Sequence, residues 1–503
     1  MSGPAAFGRL MGAGWVLVRN DALLPGELDP LYSPAVRTLS GFLRLFAGRE
    51  ARDGRPGERL ARSLERLGPV AIKLGQLLST RADIFGREFA EDLSRLKDRL
   101  APFPTSVARA EVERELGRPI ETIFAGFGEP VAAASLAQAH RAALLDGREV
   151  AIKVLRPGIA RRVAEDAEVL ALAARLIDRW APPARRLEPR GFAATVIRAT
   201  ELELDLRLEA AGADELCEVM AKDGYMKTPA VIWEGVGKRV LTMEWARGVP
   251  LSDPGALEQP DLDRKALADN LIRAFLAQAL DHGVFHADLH EGNLFAAPPA
   301  QLTAVDFGII GRLGPSERRY LAEILWGFLQ RDYHRVARIH FEAGYVPNTH
   351  SVAAFAQALR AVGEPLFGRA ASEVAMSRVL TQLFEITALF DMRLRPELVL
   401  LQKTMMTVEG VARRIYPDHD IWAASEPVVR RWVARELSPA TQAKRLGEEV
   451  IHAARNLAKM AEEPFVRAER VIHEIHHVAS PLPWVALGAL VSGAAFLLGL
   501  YLR

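Results

Sequence analysis

The chain has a single cysteine, Cys217, among 503 residues. One thiol closes no intramolecular disulfide and nucleates no cysteine-rich zinc site, so a reducing compartment is expected. An excess of either charge is missing too. The 64 Lys and Arg against 63 Asp and Glu leave a formal charge of +1, which gives no global sign of a nucleic-acid partner. No low-complexity bias is present, and an apolar fraction of 50 % excludes wholesale disorder. The N-terminus lacks a secretory signal: Met11 to Val18 is short and runs into Arg19 and Asp21. A dinucleotide-binding G-x-G-x-x-G is also absent, since Gly12-Ala-Gly14 is followed by Leu17 at the third position. What remains is a large globular protein.

One long uncharged run is present. Trp484 to Leu502 spans 19 residues, just after Pro481 and Pro483. As a helix it reaches roughly 28 Å, close to the hydrocarbon thickness of a bilayer. Trp484 and Tyr501 stand at its two ends, where amphipathic rings prefer the interface. Gly488, Ser492, Ala495 and Gly499 form a small-residue stripe that would admit a partner helix and pair two copies of the chain as a homodimer through this span. Arg467 and Arg470 precede the span and only Arg503 follows it, favouring the bulk of the chain on the cytoplasmic side. Near the other end, eight arginines between Arg37 and Arg66 face four acids. A solvated helix face explains this by default, and contact with anionic lipid is the sharper reading.

Residues 1 to about 110 read as helices with Pro/Gly breaks. From about 120 to 160 short apolar runs alternate with turn signals, ending in Glu149-Val-Ala-Ile-Lys-Val-Leu155, and read as hairpin strands. Residues 228 to 245 look strand-like again, and 262 to 480 is dominated by helical periodicity. A strand-rich small unit before a helix-rich larger one predicts two lobes and a cleft.

The strongest constellation lies in 284–310. His286-Ala-Asp288-Leu-His-Glu-Gly-Asn293 is followed by Asp306-Phe-Gly308, matching in order and spacing the kinase catalytic loop and its metal-binding D-F-G. Phosphoryl transfer needs Mg²⁺ held by hard oxygen ligands, here Asn293 and Asp306, and a carboxylate, Asp288, to orient or deprotonate the nucleophile. Upstream, Val150-Ala-Ile-Lys153 reproduces the strand whose lysine neutralises the ATP phosphates. That lysine needs a carboxylate, and the candidates lie between Glu201 and Glu209. Leu202, Leu204, Leu206 and Leu208 alternate like a strand, yet Phe192, Val196, Ala199, Leu202, Leu206, Ala210, Ala213 and Cys217 recur at helical spacing. A continuous helix is predicted, with Glu209 as the partner of Lys153. Glu203 is the other candidate.

The phosphate-covering loop departs from ordinary kinases. Where glycines are expected stands Val131-Ala132-Ala133-Ala134-Ser135-Leu-Ala137-Gln138-Ala139, and alanine narrows the ways a backbone amide can approach phosphate. Leu241 to Gly248 resembles the hinge between lobes, where the backbone of Glu244 and Ala246 would meet an adenine edge.

Taken together, these residues resemble the UbiB family of atypical kinase-like proteins. The likeness is carried by Lys73-Leu-Gly-Gln76, the alanine-rich loop to His140, the motif around Lys153, Glu203-Leu-Asp205, the loop around Asp288, and Val408 to Asp418. It implies an α+β, bilobal protein-kinase-like fold with an N-terminal helical extension and a C-terminal transmembrane helix. The expected parts are an extension over 1–115, a small lobe over 116–248, a helical lobe over 249–435, juxtamembrane helices over 436–483 and a span over 484–502. The resemblance further implies ATP and Mg²⁺ as cofactors, ATPase activity, an inner-membrane location and support of ubiquinone biosynthesis. Membrane lipid, prenylated quinone intermediates and the other enzymes of that synthesis would be its partners. Lys73 and Gln76 would approach Glu203, Asp205 or the nucleotide phosphates. Leu208 departs from the arginine common in the family before Glu209.

Two competing readings are a protein Ser/Thr kinase and a nucleotide-gated lipid-binding scaffold. Against the first, the chain after Gly308 has no A-P-E and no long activation segment. Against the second, Asp288, Asn293 and Asp306 are retained together. His473-Glu-Ile-His-His477 formally matches a zinc-protease motif but has no third ligand.

Overall fold

A computed structural model describes residues 3–27, 34–48, 54–79, 86–94, 96, 101–180, 188–364, 386, 389–392 and 396–436. The C-terminal span, the juxtamembrane segment and the His473–His477 motif lie outside these. Among the described residues, no helix is long and apolar enough to cross a membrane. The chain divides into two compact units, Met1–Trp432 and Val433–Arg503, and the first holds the predicted lobes.

Among the described residues, six helices come first: α1 (Gly3–Arg19), α2 (Pro34–Arg44), α3 (Pro56–Leu67), α4 (Pro69–Ser79), α5 (Arg87–Ser94) and α6 (Thr105–Leu116). Prolines open α2, α3 and α4, where a missing N–H is harmless. Three strands follow, β1 (Phe124–Ala133), β2 (Ala137–Leu144) and β3 (Glu149–Leu155), and with β4 (Val240–Glu244) they form an antiparallel sheet in the order β1-β2-β3-β4. Alternation decides what each face does. Val150, Ile152 and Val154 are wholly buried against Val112, Ile120 and Phe124, so Lys153 is placed on the opposite face. The strand-like stretch 228–245 yields a strand only at its end, with one isolated bridge, Val231 to Met243, before it.

Between β3 and β4 lie α7 (Ile159–Trp180), α8 (Pro189–Leu202) and α9 (Leu206–Asp223). The continuous helix predicted from Phe192 to Cys217 is therefore broken at 203–205. Asp205 caps α9 by accepting the Arg207 N–H at 3.2 Å, and the Leu206 N–H leaves the helix pattern to reach the Lys238 carbonyl at 2.9 Å. The break changes the phase of the apolar face. Val196, Leu206, Ala210 and Ala213 are buried, whereas Leu202 and Leu208 are half exposed.

The larger lobe contains β5 (Val249–Pro250), α10 (Arg264–Ala277), β6 (Val284–His286), β7 (Leu294–Ala297), β8 (Gln301–Ala304), β9 (Ile310–Arg312), α11 (Pro315–Leu329), α12 (Tyr333–Glu342), α13 (Val352–Gly363), α14 (Pro396–Ile415) and α15 (Ile421–Glu436). Helix α10 is buried on nearly all sides from Leu267 to Ala277 and forms the axis of this core. Strand β6 pairs with β9, and β7 pairs with β8. These two ladders hold the loops 287–293 and 305–309 beside each other.

Two glycines are sterically required here. Gly248 has φ +107°, and a Cβ there would meet the Ala296 carbonyl oxygen at 2.5 Å. Gly311 is the register partner of Phe285, and its Cβ would lie 2.1 Å from the ring. That ring is fully buried and edge-on to Phe275, so it has little room to yield. Gly311→Ala is expected to cost about 1–3 kcal/mol, read as a lower denaturation midpoint. An unchanged midpoint would mean the β6–β9 ladder relaxes freely.

Candidate active site

The lysine of β3 meets two carboxylates. Lys153 Nζ donates to Glu209 Oε1 and Oε2 at 2.7 and 2.9 Å and to Asp306 Oδ1 at 3.3 Å. Glu209, expected inside a continuous helix, stands in the first turn of α9. Burial works against the lysine's charge, but Asp306 and Glu209 outweigh it and hold the ammonium above its ordinary range. In return Lys153, acting against burial, draws the Asp306 carboxyl down to about 2. Asp306 thus stays anionic at any physiological pH.

The catalytic-loop residues are assembled through the backbone. The Asp288 N–H donates to His286 Nδ1 at 3.1 Å, so the proton on Nε2 faces the Val305 carbonyl, also at 3.1 Å. Burial pushes the His286 imidazole down and keeps it neutral. Asn293 Nδ2 donates to the Asp288 carbonyl at 3.1 Å, and the Val305 N–H donates to the Asn293 carbonyl at 2.9 Å. These bonds join Asp288 to Asn293, and Asn293 to the residue preceding Asp306. Asp306 has φ +63°, a region costly for most side chains and tolerated by Asp, and such strain is concentrated at functional sites. His290 accepts the Gly292 N–H at 3.0 Å and lies 3.7 Å from Asp288. Both histidines act as loop-positioning residues.

Helix α14 supports this loop, a feature that sequence reasoning missed. The Thr404 hydroxyl lies between the Leu400 and Ala287 carbonyls at 2.8 and 3.1 Å, and Arg414 pairs with Glu291. No local motif signals either contact, because the partners are more than 100 residues apart.

The alanine-rich segment is the β1–β2 hairpin. Val131, Ala132 and Ala133 end β1, Ala134 and Ser135 are in the turn, and Ala137 and Gln138 open β2. Val131 is exposed and Ser135 buried. The Gln138 side chain is committed to the stem. It bonds the Phe103 N–H and carbonyl at 2.9 and 3.1 Å and lies 2.8 Å from the His140 ring. As a nucleotide ligand, Gln138 is left with its backbone alone. Arg156, just past β3, clamps the turn: its Nε donates to the Ala134 carbonyl at 2.8 Å and its N–H to the Leu136 carbonyl at 2.8 Å. Removing the charge-assisted bond to Ala134 costs about 1.5–3 kcal/mol, while the backbone bond to Leu136 stays. Arg156→Ala is expected to raise KM for ATP by on the order of tenfold or more, with kcat less affected. An unchanged KM would mean the turn holds its form without the clamp.

Glu244 ends β4, with its N–H donated to the Ala230 carbonyl at 2.9 Å, and Ala246 follows in the link to β5. Lys73, on α4, pairs with Glu203 at the α8–α9 break. Burial pushes the Glu203 carboxyl up, and Lys73 opposes that rise. Gln76 lies one turn further along α4. Asp205 is not part of this group, since it is held by Arg207 at 2.9 and 2.7 Å.

Among the described residues, no group of three or more His, Cys, Asp or Glu side chains forms a protein-only metal cage. The donor set suits Mg²⁺ nonetheless. Asp306 is kept ionised, and Asn293 spends its side-chain N–H on Asp288 and retains its side-chain oxygen Oδ1. Such a site takes its remaining ligands from phosphates and water.

This fold and cleft define an atypical protein-kinase-like protein. An ABC1 atypical kinase-like domain matches residues 95–340, and a UbiB helical domain matches 359–420. The chain is 39 % identical over 395 residues to the probable protein kinase UbiB of Marinobacter nauticus, covering 78 % of this chain and 72 % of that one. It is 38 % identical over 453 residues to the protein of the same name from Pseudomonas aeruginosa strain PAO1, covering 88 % and 84 %. The chain belongs to the UbiB family. A solved structure of a Mycobacterium tuberculosis protein in complex with erythromycin is similar, with a TM-score of 0.51 and 26 % identity, covering 73 % of this chain and 93 % of that one. A kinase-like fold of this kind implies binding of ATP and Mg²⁺ in general.

Proposed function

We propose that this chain is a membrane-anchored, Mg–ATP-dependent atypical kinase or ATPase that supports ubiquinone biosynthesis by acting on or presenting prenylated quinone precursors. The observation that carries the reading is the contact of Lys153 with both Glu209 and Asp306, beside a loop that joins Asp288 to Asn293. Lys153 binds the α- and β-phosphates, Glu209 orients it, and the alanine-rich turn from Val131 to Ala137 covers them. Glu244 and Ala246 offer backbone groups to the adenine. Asn293 and Asp306 hold Mg²⁺, which neutralises charge on the phosphate oxygens. Asp288 takes the proton of the attacking hydroxyl, whether water or a phenol.

Hydrolysis or small-molecule transfer is favoured over protein phosphorylation because Gly308 is followed at once by β9 and then by α11 at Pro315. That interval leaves no long segment on which a peptide would dock. Greasy substrates and the uncharged run Trp484–Leu502 are what support work at the cytoplasmic face of the inner membrane.

The test is incubation of the purified chain with labelled ATP, with and without a prenylphenol and lipid. Free phosphate alone identifies an ATPase, and label on the phenol identifies a small-molecule kinase. Label on protein would overturn the reading in favour of a protein kinase.

A further inference from the structure

We propose that the apolar face shared by α1 and α2 seats in the interfacial layer of a bilayer carrying anionic lipid. Phe7, Met11 and Trp15 recur every four residues and line one side of α1. Phe42, Leu45 and Phe46 line the end of α2 and the turn after it. All six are between 42 and 77 % exposed. They form one surface: the Trp15 and Phe46 rings lie 5.9 Å apart, and those of Phe42 and Phe46 5.4 Å apart. Large clustered apolar side chains of this kind mark a docking site, unlike the scattered ones normal on any surface.

Charge selects the occupant. Helices α1 and α2 carry four arginines, Arg9, Arg19, Arg37 and Arg44, and no acidic residue. Arg19 and Arg37 are exposed. Aromatic rings beside arginines suit the boundary between acyl chains and anionic headgroups. Arg9 and Arg44 already have acidic neighbours, whereas a second copy docking by two-fold symmetry would bring the exposed Arg19 and Arg37 towards their own like charges. The two helices are also fixed to the body, so their insertion would carry the cleft with it. Arg9 reaches Asp166 of α7 at 2.6 Å and pairs with Glu165, and the Gly48 N–H donates to the Arg19 carbonyl at 2.8 Å. This contact depends neither on ATP turnover nor on residues 484–502.

The test uses the full chain with Cys217→Ser and Met11→Cys, the new thiol carrying a polarity-sensitive fluorophore. Vesicles of phosphatidylcholine, with and without phosphatidylglycerol, are added and the bound chain is recovered by flotation. The expected result is a blue shift on the anionic vesicles, with quenching by lipid bearing a nitroxide on its acyl chain. Phe42→Asp should abolish the quenching, and Arg19→Glu with Arg37→Glu should weaken it, while ATP turnover reports that each variant is folded. A water-like emission from vesicle-bound chain would overturn the proposal, as would failure to bind. A blue shift without lipid, accompanied by a doubled mass, would overturn it in favour of self-association.

Discussion

Asp306→Asn is expected to lower ATP turnover by at least ~10²-fold, the scale for removing one electrostatic group from a charge-stabilising site, and to abolish the Mg-dependent part of nucleotide binding. The substitution is well isolated. Asparagine tolerates the left-handed backbone at φ +63°, and Lys153 keeps its bonds to Glu209 at 2.7 and 2.9 Å. The variant should therefore keep its fold but melt below the parent at neutral pH, because it lacks the attraction between Asp306 and Lys153. The anionic metal ligand and its charge pairing with Lys153 are lost together. Acid makes a second distinction. A carboxyl lowered from 3.8 to about 2 in the folded chain contributes stability above its unfolded pKa and loses it as pH falls towards 2. The parent should lose that contribution between about pH 4 and 2, and the Asn variant has none to lose. Thermal melts with ATP and with Mg–ATP, followed by phosphate release, measure both effects. A variant that binds and hydrolyses Mg–ATP normally would remove Asp306 from the metal site. In cells the same variant should lower quinone content.

What could be read from the chain and what could not divide along one physical line. Lys153 was assignable because strand alternation fixes which face a residue takes once the apolar face is known. Asp288, Asn293 and Asp306 were assignable because their spacing is set by a tight loop and two short strands. Glu209 is preferred over Glu203 on a helical periodicity that reads as continuous from Phe192 to Cys217. The break at 203–205 was not foreseen, although the alternating leucines were its trace. Helical periodicity on both sides masked a change of phase that depends on Leu206 bonding to Lys238, a contact absent from local sequence. The roles of Gln138, Arg156, Thr404 and Arg414 were hidden for the same reason. Each is defined by a backbone or side-chain partner brought close by the fold, and neither composition nor period encodes that.

Asp288→Asn should separate binding from chemistry. The hydrogen bonds that set this residue use its backbone: its N–H goes to His286 and its carbonyl accepts from Asn293 and from the His290 N–H. The loop should keep its form, and Mg–ATP binding should match the parent because Lys153, Asn293 and Asp306 are untouched. Turnover should nevertheless fall by about 10²–10⁴-fold, the range for loss of a positioned general base. Unaltered binding with lost turnover is the opposite pattern to Asp306→Asn, where both fall together. The pair of variants thus discriminates a catalyst from a nucleotide-gated scaffold. If Asp288→Asn leaves cellular quinone at the parental level while turnover is gone, binding alone suffices for the physiological role and Asp288 has no catalytic part in it. If quinone falls with turnover, the hydroxyl proton taken by Asp288 lies on the path that the cell uses.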